Sequence, residues 1–267
     1  MWIHFALFST LLLPAALLGL RGRAGRRGSP VLLGVAFVAF VAFSSLRAVS
    51  VGNDTVEYHR VFKAIAATDS FQEALSVSRF ESGYVLVNYL VSRLTQDFNL
   101  LLLITSVFVY GSAVLFIKRY AASYSLALLF AFGMSVFYDL MLAVRQGIAV
   151  AIFLLAVPAL MERKLVRYVL LVVLASQFHV SVLLMLVVYL IPYMRLSTFG
   201  DWFKWGALIG IVMFSLSWLL TRLLISSAYY GHYLHSDYAD GGVRSATVLL
   251  IVTRIILMLL AATCGWN

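Results

Sequence analysis

A chain of 267 residues that is 63% hydrophobic and 12% charged, with a mean hydropathy of +0.98, is too apolar for a soluble domain. Runs of roughly 20 apolar residues recur along it, so the expected fold is all-α, a polytopic transmembrane helical bundle of about nine spans. The single cysteine, Cys264, excludes an internal disulfide framework and a cysteine-based metal cluster. Cytoplasmic arginines explain the formal charge of +9 more simply than nucleic acid, which is not an expected partner.

In chain order the apolar stretches lie at about 2–20, 30–46, 98–117, 121–138, 140–161, 165–178, 180–194, 205–224 and 246–263. Four connections, "RGRAGRRG" (21–28), Lys118 with Arg119, "ERKLVR" (162–167) and 195–204, hold eleven of the twenty Lys and Arg. If each stretch crosses once, all four face the cytoplasm and the N-terminus lies outside. Positive charge follows the first stretch instead of preceding it, so that stretch reads as an uncleaved anchor.

The segment 50–97 reads as an extracytoplasmic loop with interfacial helices. In "GYVLVNYLVSRL" (83–94), Leu86, Val87, Leu90, Val91 and Leu94 recur at helical spacing, while Asn88, Ser92 and Arg93 interrupt. That pattern predicts an amphipathic helix at or dipping into the membrane interface. The run 165–192, about 28 residues, is too long for one upright helix and short for two. Two short helices meeting at "SQFHVS" (176–181) keep the basic segment 195–204 inside. The whole chain, 1–267, reads as one integral membrane domain.

The stretch "MLAVRQGIAVAIFLLAVPALMERK" (141–164) places Arg145 about one turn inside an apolar helix, where a charge is costly unless something needs it. On this topology the outer side collects "GNDTVEYH" (52–59), "RFESGY" (79–84), "DLMLAVRQG" (139–147), "SQFHVS" and "YYGHYLHSDY" (229–238). A lipid-diphosphate enzyme needs cations for the leaving group and one base for an acceptor hydroxyl. Arg145 suits the first role, since guanidinium is permanently charged and forks onto phosphate oxygens. His179, Asp54 or Glu81 suits the second.

Each residue also has a plainer reading. Arg145 pairs with Asp139 or snorkels to the interface, His179 is a hydrogen-bonded helix terminus, Asp54 caps a helix, and Glu81 is an ordinary surface carboxylate. Arg254, near the middle of the last stretch, must face protein or a cavity. The aromatic loop 229–238 stacks on sugar faces or forms an interfacial belt. His232 and His235 lack an evident third ligand, so no metal site is expected. No GxxxxGK[ST], GxGxxG, HExxH or GxSxG pattern is present, which leaves nucleotide-driven transport, zinc proteolysis and elbow-serine hydrolysis without support.

Four segments in order, "LRAVSVGNDTVEYHRVF" (46–62), "ESGYVLVNYLV" (81–91), "FYDLMLAVRQGIAVAIFLLA" (137–156) and "ERKLVRYVLLVVLASQFHVSVLL" (162–184), resemble the EpsG family of Wzy-like bacterial polysaccharide polymerases. The family's elements correspond to Asp54 with Tyr58, Glu81-Ser82-Gly83, Arg145-Gln146 with Ala149, a basic turn, and Phe178-His179-Val180-Ser181-Val182. Ser82 stands in place of a proline and Val182 in place of an alanine. Family members are usually longer, and this chain stops three residues after Cys264, so the resemblance also allows a C-terminally truncated product.

The resemblance implies a glycosyltransferase of the bacterial cytoplasmic membrane that joins undecaprenyl-diphosphate-linked oligosaccharide units on the outer face, in exopolysaccharide, capsule or O-antigen synthesis. Arg145, helped by Arg47 or Arg254, would hold the leaving group. His179 and Asp54, with Glu81 as second choice, would activate and orient the acceptor, and Tyr58, Gln146 and Ser181 would add substrate contacts. No cofactor, nucleotide sugar or metal is implied. The implied partners are the lipid-linked oligosaccharide, the bilayer, and a chain-length regulator and flippase of the same pathway. The alternatives are a flippase or transporter for the same lipid, a ligase-type transferase of finished polymer, and a structural membrane subunit.

Overall fold

The computed structural model describes residues 28–52, 54–194, 198–225 and 252, and the regular structure there is entirely helical. The elements are α1 (Pro30–Ser45), α2 (Thr55–Ala66), α3 (Phe71–Val77), α4 (Ser82–Ser92), α5 (Phe98–Tyr120), α6 (Tyr124–Gly133), α7 (Val136–Leu142), α8 (Val144–Met161), α9 (Leu165–Ser176), a 3-10 helix (Val180–Tyr193) and α10 (Phe199–Ile225). Local chemistry starts several of them. Ser29 with Pro30 begins α1, and the side chains of Ser70, Asp97 and Ser123 accept backbone N–H groups at the starts of α3, α5 and α6.

Of the nine expected spans, 2–20 lies outside the described residues, as does 246–263 apart from Val252. Among the described residues α5 and α8 are long and apolar enough to cross a bilayer, and α6 with α7 adds a third if the two pieces form one span. Nine spans are therefore not what the described residues support. Three of the stretches fall short in length, since α1, α9 and the 3-10 helix are apolar but hold 16, 12 and 14 residues, where an upright crossing needs about 20; in α10, which holds the stretch 205–224, the apolar part is Phe203–Leu216 among the described residues.

The helix boundaries near Arg145 also differ from expectation. The run 121–138 is bent by 61° between α6 and α7, where Ser135 takes left-handed backbone with φ 60 and ψ 14. A non-glycine residue in that region cannot continue a right-handed helix. Residues 139–142 then belong to α7, and the chain turns again at Ala143 (φ −95, ψ 71). Arg145 therefore lies in the first turn of α8 itself, not a turn inside a helix that began near 140. As expected, 165–192 divides at the SQFHVS cluster; the second piece is 3-10 rather than α.

α5 is central, with α1 and α8 packed on it, α9 on α8, and the 3-10 helix on α9. α6 and α7 return the chain between α5 and α8, so those two run parallel, Val109 beside Gly147 near one end and Leu115 beside Leu154 and Pro158 near the other. At 1.5 Å per residue the 18 residues of α8 span about 27 Å. Two polar ties lock the apolar helices in register. Ser106 Oγ donates to Ser44 Oγ at 2.7 Å, and Tyr110 Oη donates to the Phe137 carbonyl at 3.1 Å.

α2, α3 and α4 gather at one end of this bundle. Tyr58, Val61, Phe62 and Ile65 form one buried face of α2, packed with Tyr84, Val85, Phe98 and Leu101. Arg93 donates to the carbonyls of Ile65, Ala66 and Thr68, so α4 ends by closing the C-terminus of α2. The buried face of α4 is Tyr84, Val85, Asn88, Val91 and Ser92. Leu86 and Leu90 are exposed among the described residues, and the Asn88 that interrupts the sequence pattern is inside, donating to the Tyr84 carbonyl at 2.8 Å.

Candidate functional site

Glu81 sits at the residue preceding α4, where its carboxylate would ordinarily cap the helix. It makes no cap hydrogen bond. Instead Arg145 Nη1 donates to Glu81 Oε2 at 2.5 Å, and the Val180 N–H donates to Oε1 at 3.3 Å. His179 Nδ1 lies 3.8 Å from the same Oε1. One carboxylate thus joins segments 64 and 99 residues further along the chain. The starts of α4, α8 and the 3-10 helix converge on it, and helix N-termini favour negative charge.

The cluster is partly withdrawn from water. The side chains of Arg145, Glu81 and His179 are 14, 13 and 26% exposed. The Arg145 guanidinium carbon stands 4.1 Å above the centre of the Phe80 ring and 6.0 Å from that of Tyr58, so aromatic faces hold the cation from one side. Burial pushes the His179 imidazole below its usual range; Glu81 opposes this and Arg145 reinforces it. The imidazole is therefore neutral near pH 7, and its buried Nδ1 has no hydrogen-bond partner among the described residues. Burial likewise raises the Tyr58 hydroxyl to about 12, against the pull of Arg145. A fixed cation, a carboxylate and a neutral imidazole in one cluster can hold an anion and accept a proton.

A backbone clamp sets this geometry. Gly83 N–H donates to the Gln177 carbonyl at 2.9 Å, and Ser82 Oγ donates to Gln177 Oε1 at 2.9 Å. A Cβ on Gly83 would lie 2.7 Å from that carbonyl oxygen, so only glycine permits the approach. The clamp ties the residues after Glu81 to those before His179. Beside it, Gln146, Phe153, His179 and Ser181 help line a recess of about 110 Å³.

The remaining predicted site residues distribute as follows. Tyr58 is buried against Phe80 and Tyr84 beside the cluster. Asp54 occupies the N-cap position of α2 but makes no side-chain cap hydrogen bond and is exposed. Arg47 is 7% exposed behind the site, with Nη1 donating to the Ser44 carbonyl and hydroxyl at 2.5 and 3.1 Å. Its Nε and Nη2 have no hydrogen-bond partner among the described residues. Arg254 and the loop 229–238, with His232 and His235, lie outside the described residues.

Two plainer readings are corrected: Glu81 is a partly buried, ion-paired carboxylate rather than a surface one, and Asp54 does not cap through its side chain. Sequence reasoning gave no role to Phe80, to Gly83 beyond its place in the Glu81-Ser82-Gly83 element, or to Gln177. The signal for the first two was their place on either side of Glu81, in the string "RFESGY".

Among proteins of curated function and among solved structures, nothing matches this chain. The family model described as "EpsG family" matches residues 31–264, which takes in Glu81, Arg145 and His179. The chain thus belongs to the EpsG family, a Wzy-like family of polysaccharide polymerases, and is a helical membrane protein of polysaccharide biosynthesis.

Proposed function

We propose that this protein joins oligosaccharide repeat units carried on undecaprenyl diphosphate at the outer face of the bacterial cytoplasmic membrane, with its N-terminus outside. The observation that carries this reading is the convergence of Arg145, Glu81 and His179 at three helix starts, in a chain of a polymerase family. The acceptor sugar hydroxyl attacks the anomeric carbon of the growing chain. The carbon–oxygen bond to the diphosphate breaks, and undecaprenyl diphosphate departs with the electron pair.

Arg145 and the helix ends receive the diphosphate charge. As Arg145 turns to the diphosphate, Glu81 is released toward His179 Nδ1, closing the 3.8 Å gap. That hydrogen bond sets the tautomer and raises the basicity of Nε2, which takes the acceptor proton. Gln146 and Ser181, at the mouth of the recess, orient sugar hydroxyls. Asp54 and Tyr58 support the acceptor side, and Arg47 and Arg254 add positive charge to the leaving-group side. A flippase and a chain-length regulator of the same pathway are its proposed partners.

The test is a strain lacking the gene, complemented with wild type or Arg145→Ala at matched membrane levels. Lipid-linked and surface polysaccharide are then resolved by size. Long polymer with wild type and single repeat units with Arg145→Ala are expected. Wild-type polymer with Arg145→Ala sinks the assignment, and absence of repeat units outside the null cell favours a flippase.

A further inference from the structure

At the end of α8 away from Arg145, a cleft of about 1280 Å³ opens between the C-terminal halves of α5 and α8 and the start of α9. Its walls are apolar, with Leu115, Leu155 and Leu170 from the three helices 59, 40 and 63% exposed. Its rim is cationic, formed by Lys118 and Arg119 at the end of α5 and by Lys164 and Arg167 at the start of α9. Glu162 pairs with Lys164 at 2.8 Å, so the rim and this carboxylate together keep a net positive charge.

We propose that this cleft binds an anionic phospholipid, with acyl chains between the helices and the phosphate on the cationic rim. The volume exceeds the roughly 300–1,000 Å³ of ordinary small-molecule pockets, as a chain-bearing ligand requires. Charge at the mouth and hydrocarbon within repeat the layout of a lipid, and basic pockets between membrane helices accept anionic headgroups.

Among the described residues, Glu162 is the carboxylate that pairs with this rim. The residues outside the described ones contain two acidic side chains, Asp237 and Asp240.

The rim is also held in place. Lys164 N–H donates to the Ala159 carbonyl at 2.8 Å and Arg163 N–H to that of Leu160 at 3.1 Å, with Arg163 left-handed at φ 55. Arg163 in turn donates to the Pro192 carbonyl at 2.9 Å and stacks 4.8 Å over Tyr193, while Tyr189 Oη donates to the Arg163 carbonyl at 2.6 Å. This turn fixes Lys164 and Arg167 opposite Lys118 and Arg119. The proposal stands apart from the polymerase mechanism, whose residues lie at the other end of α8.

The test titrates the delipidated full chain, in neutral detergent, with phosphatidylglycerol or phosphatidylcholine of identical acyl chains, read by native mass spectrometry. Phosphatidylglycerol should bind at least about tenfold more tightly. The variant Lys118→Gln/Arg119→Gln/Arg167→Gln should lose on the order of 100-fold of that affinity, and Arg60→Gln/Lys63→Gln at the far end should lose none. Equal binding of the two lipids, or unchanged binding by the triple variant, overturns the proposal. So does displacement of the lipid by equimolar glycerol 3-phosphate, which would mark a phosphate site without a role for the cleft. A wild-type dimer that dissociates in the triple variant would give the cleft to a second copy and equally overturn it.

Discussion

Replacing Gly83 by alanine adds one methyl group where the start of α4 meets the end of α9. The new Cβ would stand 2.7 Å from the Gln177 carbonyl oxygen, 2.9 Å from Gln177 Cβ and 3.1 Å from its carbonyl carbon, where ordinary contact begins at 3.4 Å. The obstacle is mostly backbone and cannot rotate aside, so α4 must retreat by about 0.7 Å. Overpacking of this kind costs about 1–3 kcal/mol. Glu81, two residues upstream, moves with the helix, and its 3.3 Å contact with Val180 N–H then leaves hydrogen-bonding range. Misplacing catalytic groups by about 1 Å costs on the order of 100-fold in rate. Gly83→Ala should therefore lower the melting temperature in detergent by several degrees and cut polymerisation on lipid-linked repeat units by about two orders of magnitude. Gly34→Ala in α1 is the control. Its Cβ would meet nothing within 4 Å, and helix propensity should make it neutral or up to about 1 kcal/mol stabilising. If Gly83→Ala behaves like Gly34→Ala in both assays, the clamp does not position Glu81.

Arg145→Lys should remain impaired in polymer length, because an ammonium lacks the fork that engages Glu81 and phosphate together and lies less well on the Phe80 ring; full-length polymer would show that charge alone suffices. Burial lowers the His179 pKa, so the imidazole stays neutral until the pH falls below its ordinary value of about 6.5. The acid limb of the polymerisation rate should lie below that pH, and an acid limb above 6.5 would remove His179 as the base. The same shift makes the unfolded chain bind more protons between the lowered pKa and about 6.5, so stability should fall as pH drops through that window. Arg47→Met should abolish long polymer while leaving thermal stability equal or higher, since two guanidinium nitrogens are buried without partners among the described residues. A loss above about 2 kcal/mol would make Arg47 a structural residue.

Much of the helical layout was legible because hydropathy reports burial in lipid or protein directly. The stretches 30–46, 98–117 and 165–178 correspond closely to α1, α5 and α9, and the polar SQFHVS string marked a real junction. The break at Ala143 is not legible, because "FYDLMLAV" is continuously apolar but for Asp139, and both it and the break at Ser135 are conformational. The same limit applies to α4. Asn88 interrupts the apolar spacing, yet its side chain bonds to a carbonyl one turn back and so can be buried.

In the site, Arg145, Glu81 and His179 could each be singled out by the oddity of a polar residue in an apolar context. Their association could not be read. The acidic residue nearest Arg145 in sequence is Asp139, whereas Glu81, whose carboxylate Arg145 grips, lies 64 residues upstream. Gly83 lies beside Glu81 in sequence, yet the need for glycine there arises from a carbonyl far away.

The length of α8 acts as a ruler. Its span of about 27 Å falls a little short of a hydrocarbon layer of about 30 Å. With the lysine and arginine turn moored at one headgroup layer, the Arg145 end stops at or just beneath the opposite one. A thicker membrane would draw that end deeper, and a thinner one would lift it into the aqueous layer. On the proposed function, reach toward a lipid-borne phosphate is then a matter of hydrophobic matching, and the same helix would work at different efficiency in bilayers whose acyl chains differ by a few carbons.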